Sequence, residues 1–317
     1  IISEKKSEMS GSLKYDKELQ VLDLTQCKKQ VTSIFSWLVS PTRPQKTELV
    51  TLLTSTKEAD MWGGDCDLGL IKDWDNPSLV TEATLGGFGA TDIDVKNNLI
   101  FLTSASSIAS FEDLFVYEFD PIAKILNQKG KLNTGVGLNG IDVISDYTFA
   151  INNETSNHLM ILNTSTPSSP TLVASATLPN MTSGLARSIF YYNDRIYIGT
   201  QYMSCPSCPP YLNNEFHIYD VSNPGAPDWQ GSFNVNHNVN DIAVRGDYAY
   251  LAPSADDKEI IILNIKDPDN ITEVGVFNAK DTDTASVAED ATSLYLLGDK
   301  LYFGRKRAPS SRPDFYV

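Results

Sequence analysis

The chain has 317 residues, of which 41% are hydrophobic and 10% aromatic, enough for a sizeable core and too many for a mainly disordered chain. Lysines and arginines number 25 against 40 aspartates and glutamates; the net charge of -15 repels phosphate backbones and argues against nucleic acid as a partner. No stretch approaches the roughly 18 consecutive apolar residues of a spanning helix, so no membrane span is expected in this chain.

The chain opens on Ile1-Ile2-Ser3-Glu4 with no initiator methionine, which reads as the product of removing an N-terminal signal or anchor. Residues 1–66 form a small β-rich segment of their own. Lys29 to Trp37 alternates like a half-buried strand, and Thr47 to Thr54 is its expected partner across a proline-containing loop. The pattern Val31-Thr32-Ser33 with Trp37, followed by Leu49-Val50-Thr51-Leu52-Leu53-Thr54, resembles the C-terminal β-region of type IV pilin-like proteins. That resemblance implies display on a pilus or envelope assembly, although the apolar N-terminal helix of such proteins and its cleavage site are not in this sequence.

From residue 67 to 317 the sequence is periodic. An isoleucine or leucine recurs at Ile93, Ile141, Ile189, Ile242 and Leu294, at spacings of 48, 48, 53 and 52 residues. Eight residues after each stands an aromatic, Phe101, Phe149, Tyr197, Tyr250 or Tyr302, and three residues before that aromatic a turn former, Asn98, Asp146, Asp194, Asp247 or Asp299. Each unit therefore opens with a tight hairpin. A third strand follows in four units, at Leu114–Tyr117, Leu159–Leu162, Phe216–Tyr219 and Ile260–Leu263. Each is closed by a proline, Pro121, Pro167, Pro224 or Pro268. A fourth strand is seen in Thr171–Ser175 and Ile271–Val276. Four antiparallel strands per unit predict an all-β fold, a β-propeller of four-stranded blades.

The segments Ile218-Tyr219-Asp220-Val221-Ser222-Asn223-Pro224 and Ile262-Leu263-Asn264-Ile265-Lys266-Asp267-Pro268 resemble the LVIVD-repeat family of β-propellers, and the likeness runs from Trp74 to the end. Leu79 to Ala83 looks like the outermost strand of a unit without its inner three, and Asp314 to Val317 like a third strand. Two readings stand: the two ends complete a five-bladed ring, or the blades belong to a longer propeller.

Cys27, Cys66, Cys205 and Cys208 are an even set that suits two disulfides in an oxidising compartment, with the pairing open. The Cys205-Pro206-Ser207-Cys208 run has redox or half-zinc spacing, but no second such motif or histidine pair accompanies it, so a small loop disulfide is the expected reading. Asp281, Asp283 and Asp290 lack the spacing of a calcium loop, and no metal or cofactor is expected. No GxSxG elbow, HExxH helix or phosphate loop occurs, and the chain has three histidines, His158, His217 and His237.

Ligands of propellers meet the channel mouth and the loops joining strands. The positions just before each innermost strand are Thr91, Asn139, Arg187, Asn240 and Thr292, all polar, with Arg187 the one cation. A second candidate surface is the long loop carrying Tyr202, Met203 and Tyr211 beside the cysteine pair. These readings point to a non-enzymatic, extracellular or cell-surface binding or adhesion module with a protein or glycan ligand. The alternatives are a polysaccharide lyase or glycoside hydrolase acting through carboxylates or Arg187, and a purely structural spacer.

Overall fold

The computed structural model describes residues 79–85, 89–105, 111–152, 154, 156–179, 181, 185–203, 214–255, 257–279, 290–306 and 315–317, together with the backbone of four strands within residues 2–54. Two compact units result, Ile1–Ser78 and Leu79–Val317. Among the described residues no helix is long and apolar enough to cross a membrane.

The first unit is an antiparallel meander of β1 (Ile2–Ser10), β2 (Leu13–Thr25), β3 (Lys28–Ser40) and β4 (Arg43–Thr54). The expected pairing is present: Val31 lies opposite Thr51 and Ile34 opposite Glu48.

The second unit is a propeller of five antiparallel blades. Blade one is β5 (Ala90–Lys96), β6 (Leu99–Ser104), β7 (Leu114–Asp120) and β8 (Ile125–Leu132). Blade two is β9 (Leu138–Ile144), β10 (Tyr147–Asn152), β11 (Leu159–Asn163) and β12 (Thr171–Ala176). Blade three is β13 (Ala186–Tyr192), β14 (Arg195–Thr200), β15 (Phe216–Asp220) and β16 (Asp228–Phe233). Blade four is β17 (Val239–Arg245), β18 (Tyr248–Pro253), β19 (Ile260–Asn264) and β20 (Thr272–Phe277). Blade five has β21 (Ala291–Leu297), β22 (Lys300–Arg305) and β23 (Phe315–Tyr316) among the described residues. The third strand read at the C-terminus is thus β23, whereas Leu79 to Ala83 is not in a strand.

The hairpin turns fall where the sequence places them, with one refinement. The left-handed residue is the one before the predicted turn former: Asn97, Ser145, Asn193, Gly246 and Gly298 all have positive φ, and of the predicted five only Asp194 does. The predicted Asn and Asp residues do a different task. Their carbonyls accept the amide that leaves the third strand, Phe119 N on Asn98, Thr164 N on Asp146, Val221 N on Asp194 and Ile265 N on Asp247.

The core lies between blades. One face of each blade's second and third strands packs on the opposite face of the next blade: Phe101, Leu114 and Val116 meet Ile141, Val143 and Leu162. Phe149, Leu159 and Ile161 likewise meet Ile196, Ile198 and Tyr219. Each side chain buried this way contributes about 1.5–3 kcal/mol.

A further repeat anchors the chain as it passes from one blade to the next. The residue just before the third strand is buried in four blades, and its side chain accepts an amide about one strand further on. Asp113 takes Thr134 N at 2.9 Å, His158 Nδ1 takes Leu178 N at 3.1 Å, Glu215 takes Val235 N at 2.8 Å and Glu259 takes Ala279 N at 2.8 Å. Each satisfies a buried amide that no strand partner reaches.

Candidate functional site: the channel and an interblade cleft

All five residues predicted at the channel mouth occupy the same structural position. Thr91, Asn139, Arg187, Asn240 and Thr292 are each the extra residue of a β-bulge, where the register between the first two strands shifts. In three blades the bulged side chain reaches the next blade. Thr91 Oγ1 donates to the carbonyl of Leu138 at 2.6 Å, Asn139 Nδ2 to that of Ala186 at 3.1 Å, and Asn240 Nδ2 to that of Ala291 at 2.8 Å. In the third blade, Ser188 Oγ donates to Val239 O at 3.2 Å, and Arg187 is exposed. Thr292 donates within its own blade, to Gly304 O at 3.3 Å.

Carboxylates of the innermost strands continue this stitching along the channel. Asp92 accepts Ile141 N at 2.9 Å, Asp94 accepts Val143 N at 2.6 Å, Asp142 accepts Tyr191 N at 2.6 Å, and Asp241 accepts Leu294 N at 2.7 Å. Innermost strands have amides with no strand partner on the axial side, and the preceding blade supplies the acceptor. Burial, opposed by these hydrogen bonds, pushes Asp142 up to about 7 and Asp241 up to about 6, and the repulsion of Asp92 adds to both. Acids of three blades therefore repel one another.

A cleft of about 410 Å³ opens at the other end of the blades, between the third and fourth. It is lined by the hairpin turns and third-strand ends, including Tyr192, Asp194, Arg195, Asp220, Asp247 and Lys266. The Tyr192 hydroxyl crosses the seam and accepts Gly246 N at 3.2 Å. Asp220 is held below the usual carboxylate range by the hydroxyl and amide of Ser222, so it is ionised at neutral pH. Two cations, three carboxylates and a tyrosine around an open cleft can both donate to and accept from a polar ligand. Sequence reading placed the candidate site at the opposite end of the channel and did not single out these residues.

In the second predicted surface, Tyr202 is exposed, its amide donates to Asn238 Oδ1 at 2.9 Å, and its ring lies 6.4 Å from that of His237. Met203 is half-buried. Tyr211, Cys205, Cys208, Cys27 and Cys66 lie outside the described residues, as do Asp281 and Asp283. Among the described residues no group of three or more His, Cys, Asp or Glu side chains is arranged to hold a metal ion. His158 and His217 are fully buried, and burial lowers the pKa of both, His217 to about 4, so both are neutral at pH 7.

The family model described as LVIVD repeat matches residues 141–177, 211–235 and 237–279, which cover most of the second blade, the outer two strands of the third and all of the fourth. LVIVD repeats are thus matched in the second, third and fourth blades. No curated protein matches the chain. Among solved structures, the computationally designed Ika8 protein is 8% identical, with 94% of this chain and 79% of that one covered at a TM-score of 0.47. The computationally designed Ika4 protein is 7% identical, with 63% of this chain and 100% of that one covered at a TM-score of 0.42.

Proposed function

We propose that this LVIVD-repeat propeller is a non-enzymatic binding module that works outside the cell or at its surface, and that the cleft between the third and fourth blades takes a polar, uncharged ligand such as a glycan. The composition of that cleft carries the reading. Arg195 and Lys266 provide donors, Asp194, Asp220 and Asp247 provide acceptors, and Tyr192 provides ring surface, a combination that suits hydroxyl-rich ligands. The lining lacks a serine–histidine pair for nucleophilic acyl transfer, since its one serine, Ser222, has its hydroxyl 2.5 Å from Asp220 and no histidine lines the cleft; an enzymatic reading would have to work through the carboxylates.

Surface display fits the even cysteine count and the resemblance of the β3 and β4 sequence to the β-region of pilin-like proteins. On this view the first unit belongs to a pilus or envelope assembly, and the propeller adheres. Glycan arrays probed with the whole chain test the binding role. Arg195→Ala with Lys266→Ala is expected to weaken any captured glycan at least about tenfold, a loss of about 1.4 kcal/mol. Binding unchanged by that pair removes the cleft from the proposal. Turnover of an arrayed polysaccharide would replace the binding reading with an enzymatic one.

A further inference from the structure

The seam between blades two and three departs from its neighbours at two repeat positions at once. The first is the anchoring residue before the third strand, a carboxylate in blades one, three and four (Asp113, Glu215 and Glu259) and a histidine, His158, in blade two. The second is the second residue of the third strand, which strand register fixes as Phe115, Met160, His217, Ile261 and Tyr316 in blades one to five. Blade three alone has an imidazole there. Both histidine rings are fully buried.

The two histidines face the same stretch of chain. Strand side chains two residues apart share a face, and Tyr219, two after His217, packs with Leu159, Ile161 and Leu178 and donates its hydroxyl to Thr177 O at 2.8 Å. Leu178 in turn gives its amide to His158 Nδ1 at 3.1 Å. A charge on His158 would be felt at His217. Backbone bonds fix where each neutral ring carries its proton. His158 Nδ1 accepts, so its Nε2 is an N–H donor. His217 Nε2 lies 2.7 Å from Asn214 O, which can only accept, so the proton is on Nε2 and Nδ1 is an acceptor. Among the described residues neither His158 Nε2 nor His217 Nδ1 has a hydrogen-bond partner.

A buried donor on one blade and a buried acceptor on the next are complementary, and polar atoms in such places are satisfied by ordered water. Asn214 Oδ1, buried and also without a partner among the described residues, adds an acceptor on the His217 side. Its amide Nδ2 donates to Ser232 Oγ at 2.7 Å, and Ser232 stands opposite His217 in the sheet. We infer that the seam binds one buried water, which accepts from His158 Nε2 and donates to His217 Nδ1, joining blades two and three through water. A bridging water of this kind is nearly as good as a direct hydrogen bond. A metal ion does not fit the same atoms. It needs a lone pair from each ring, and His158 has given its only one to the Leu178 amide.

NMR spectroscopy of the whole isotope-labelled chain at pH 7 tests this. Long-range proton–nitrogen spectra are expected to show both rings protonated at Nε2. The His158 Nε2 proton is expected to give a cross-peak at the water frequency, with the sign of a water that tumbles with the protein. His217→Ile, which installs the residue of the fourth blade, is expected to abolish that cross-peak while His158 keeps its tautomer, because the Leu178 amide still needs Nδ1. The same substitution strands the His158 donor and should raise the unfolding equilibrium constant about tenfold. Should the variant fail to fold, a crystal structure of the parent decides, with a water expected within about 3.2 Å of both nitrogens. Protonation of His158 at Nδ1, a parent with no water at either measurement, a cross-peak that survives His217→Ile or an unfolding constant unchanged by it overturns the inference. So does a scalar coupling between His158 Nε2 and His217 Nδ1, which would put the rings in direct contact. A chelator that alters the signals of either ring would reveal a metal and overturn it as well.

Discussion

Glu215→Gln isolates what burying an anchoring carboxylate does to the stability of a blade. Glu215 is 1% exposed, its Oε2 accepts Val235 N at 2.8 Å and Asn236 N at 2.9 Å, and burial pushes its pKa up to about 7 from an ordinary 4.5. A folded-state pKa above the unfolded one means that the folded chain holds the proton more tightly. The stability this gives is complete below about pH 4.5 and is lost as the pH rises through 7. Integrated between pH 5 and pH 8, this one group removes at most about 2–3 kcal/mol. Glutamine keeps a carbonyl oxygen for the two amides and cannot ionise. Urea melts at half-unit steps from pH 5 to pH 8 should therefore show the variant within about 1 kcal/mol of the parent at pH 5, and more stable than the parent at pH 8. Asp142 and Asp241 titrate in both proteins, so the difference between the curves reports Glu215 alone. Parallel curves would refute the argument, since they would mean that the carboxylate is ionised in the fold across the whole range.

Three further outcomes follow from the seams. A Cβ on Gly231 would collide with the carbonyl oxygen of Pro268 in the next blade, so Gly231→Ala should cost about 1–3 kcal/mol in chemical denaturation, and an unchanged midpoint would count against that close approach. Arg305 Nη1 lies 3.6 Å from Glu259 Oε1 with both side chains fully buried, joining blades four and five. Arg305→Met should cost about 3–5 kcal/mol, and adding Glu259→Gln should recover part of it. Asn240→Ala should lose about 1 kcal/mol with the bond to Ala291 O, while Arg187→Ala at the same bulge position should change stability by less than about 0.5 kcal/mol; equal losses would contradict the geometry.

The blades were legible because their signals are local. An eight-residue offset between an apolar residue and an aromatic, with a turn former between them, fixes a hairpin wherever it occurs, and the alternation of the third strands fixes which face is buried. The partners of polar side chains were not legible, because they lie about fifty residues away in the next blade. Asn139 reads as a channel residue until Ala186 O is placed beside it. The anchoring residues before the third strands do carry a local signal. Asp113, His158, Glu215 and Glu259 each stand directly before a third strand, and an ionisable residue at one repeated position beside an apolar run signals a shared anchoring task. The cleft gave no such signal, since Tyr192, Asp194 and Arg195 belong to a hairpin that resembles the other four.

What sets the seam between blades three and four apart is its inner strand. At the positions where the first, second and fourth blades place Asp92, Asp94, Asp142 or Asp241, the third has Ser188 and Phe190. Phe190 and Tyr192 pack instead against the core shared with blade four. Among the described residues, no carboxylate of blade three reaches an inner-strand amide of blade four. The link at the turn end of this seam is the Tyr192 hydroxyl on Gly246 N, a long side chain spanning where an aspartate would draw the strands together. The seam that gave up its axial carboxylates is the one that holds the cleft, and the acids nearby, Asp194, Asp220 and Asp247, line that cleft instead of accepting amides across the seam. On this seam the inner strand keeps one stitch, Ser188 Oγ on Val239 O, and the charged groups stand at the turn end, around the cleft.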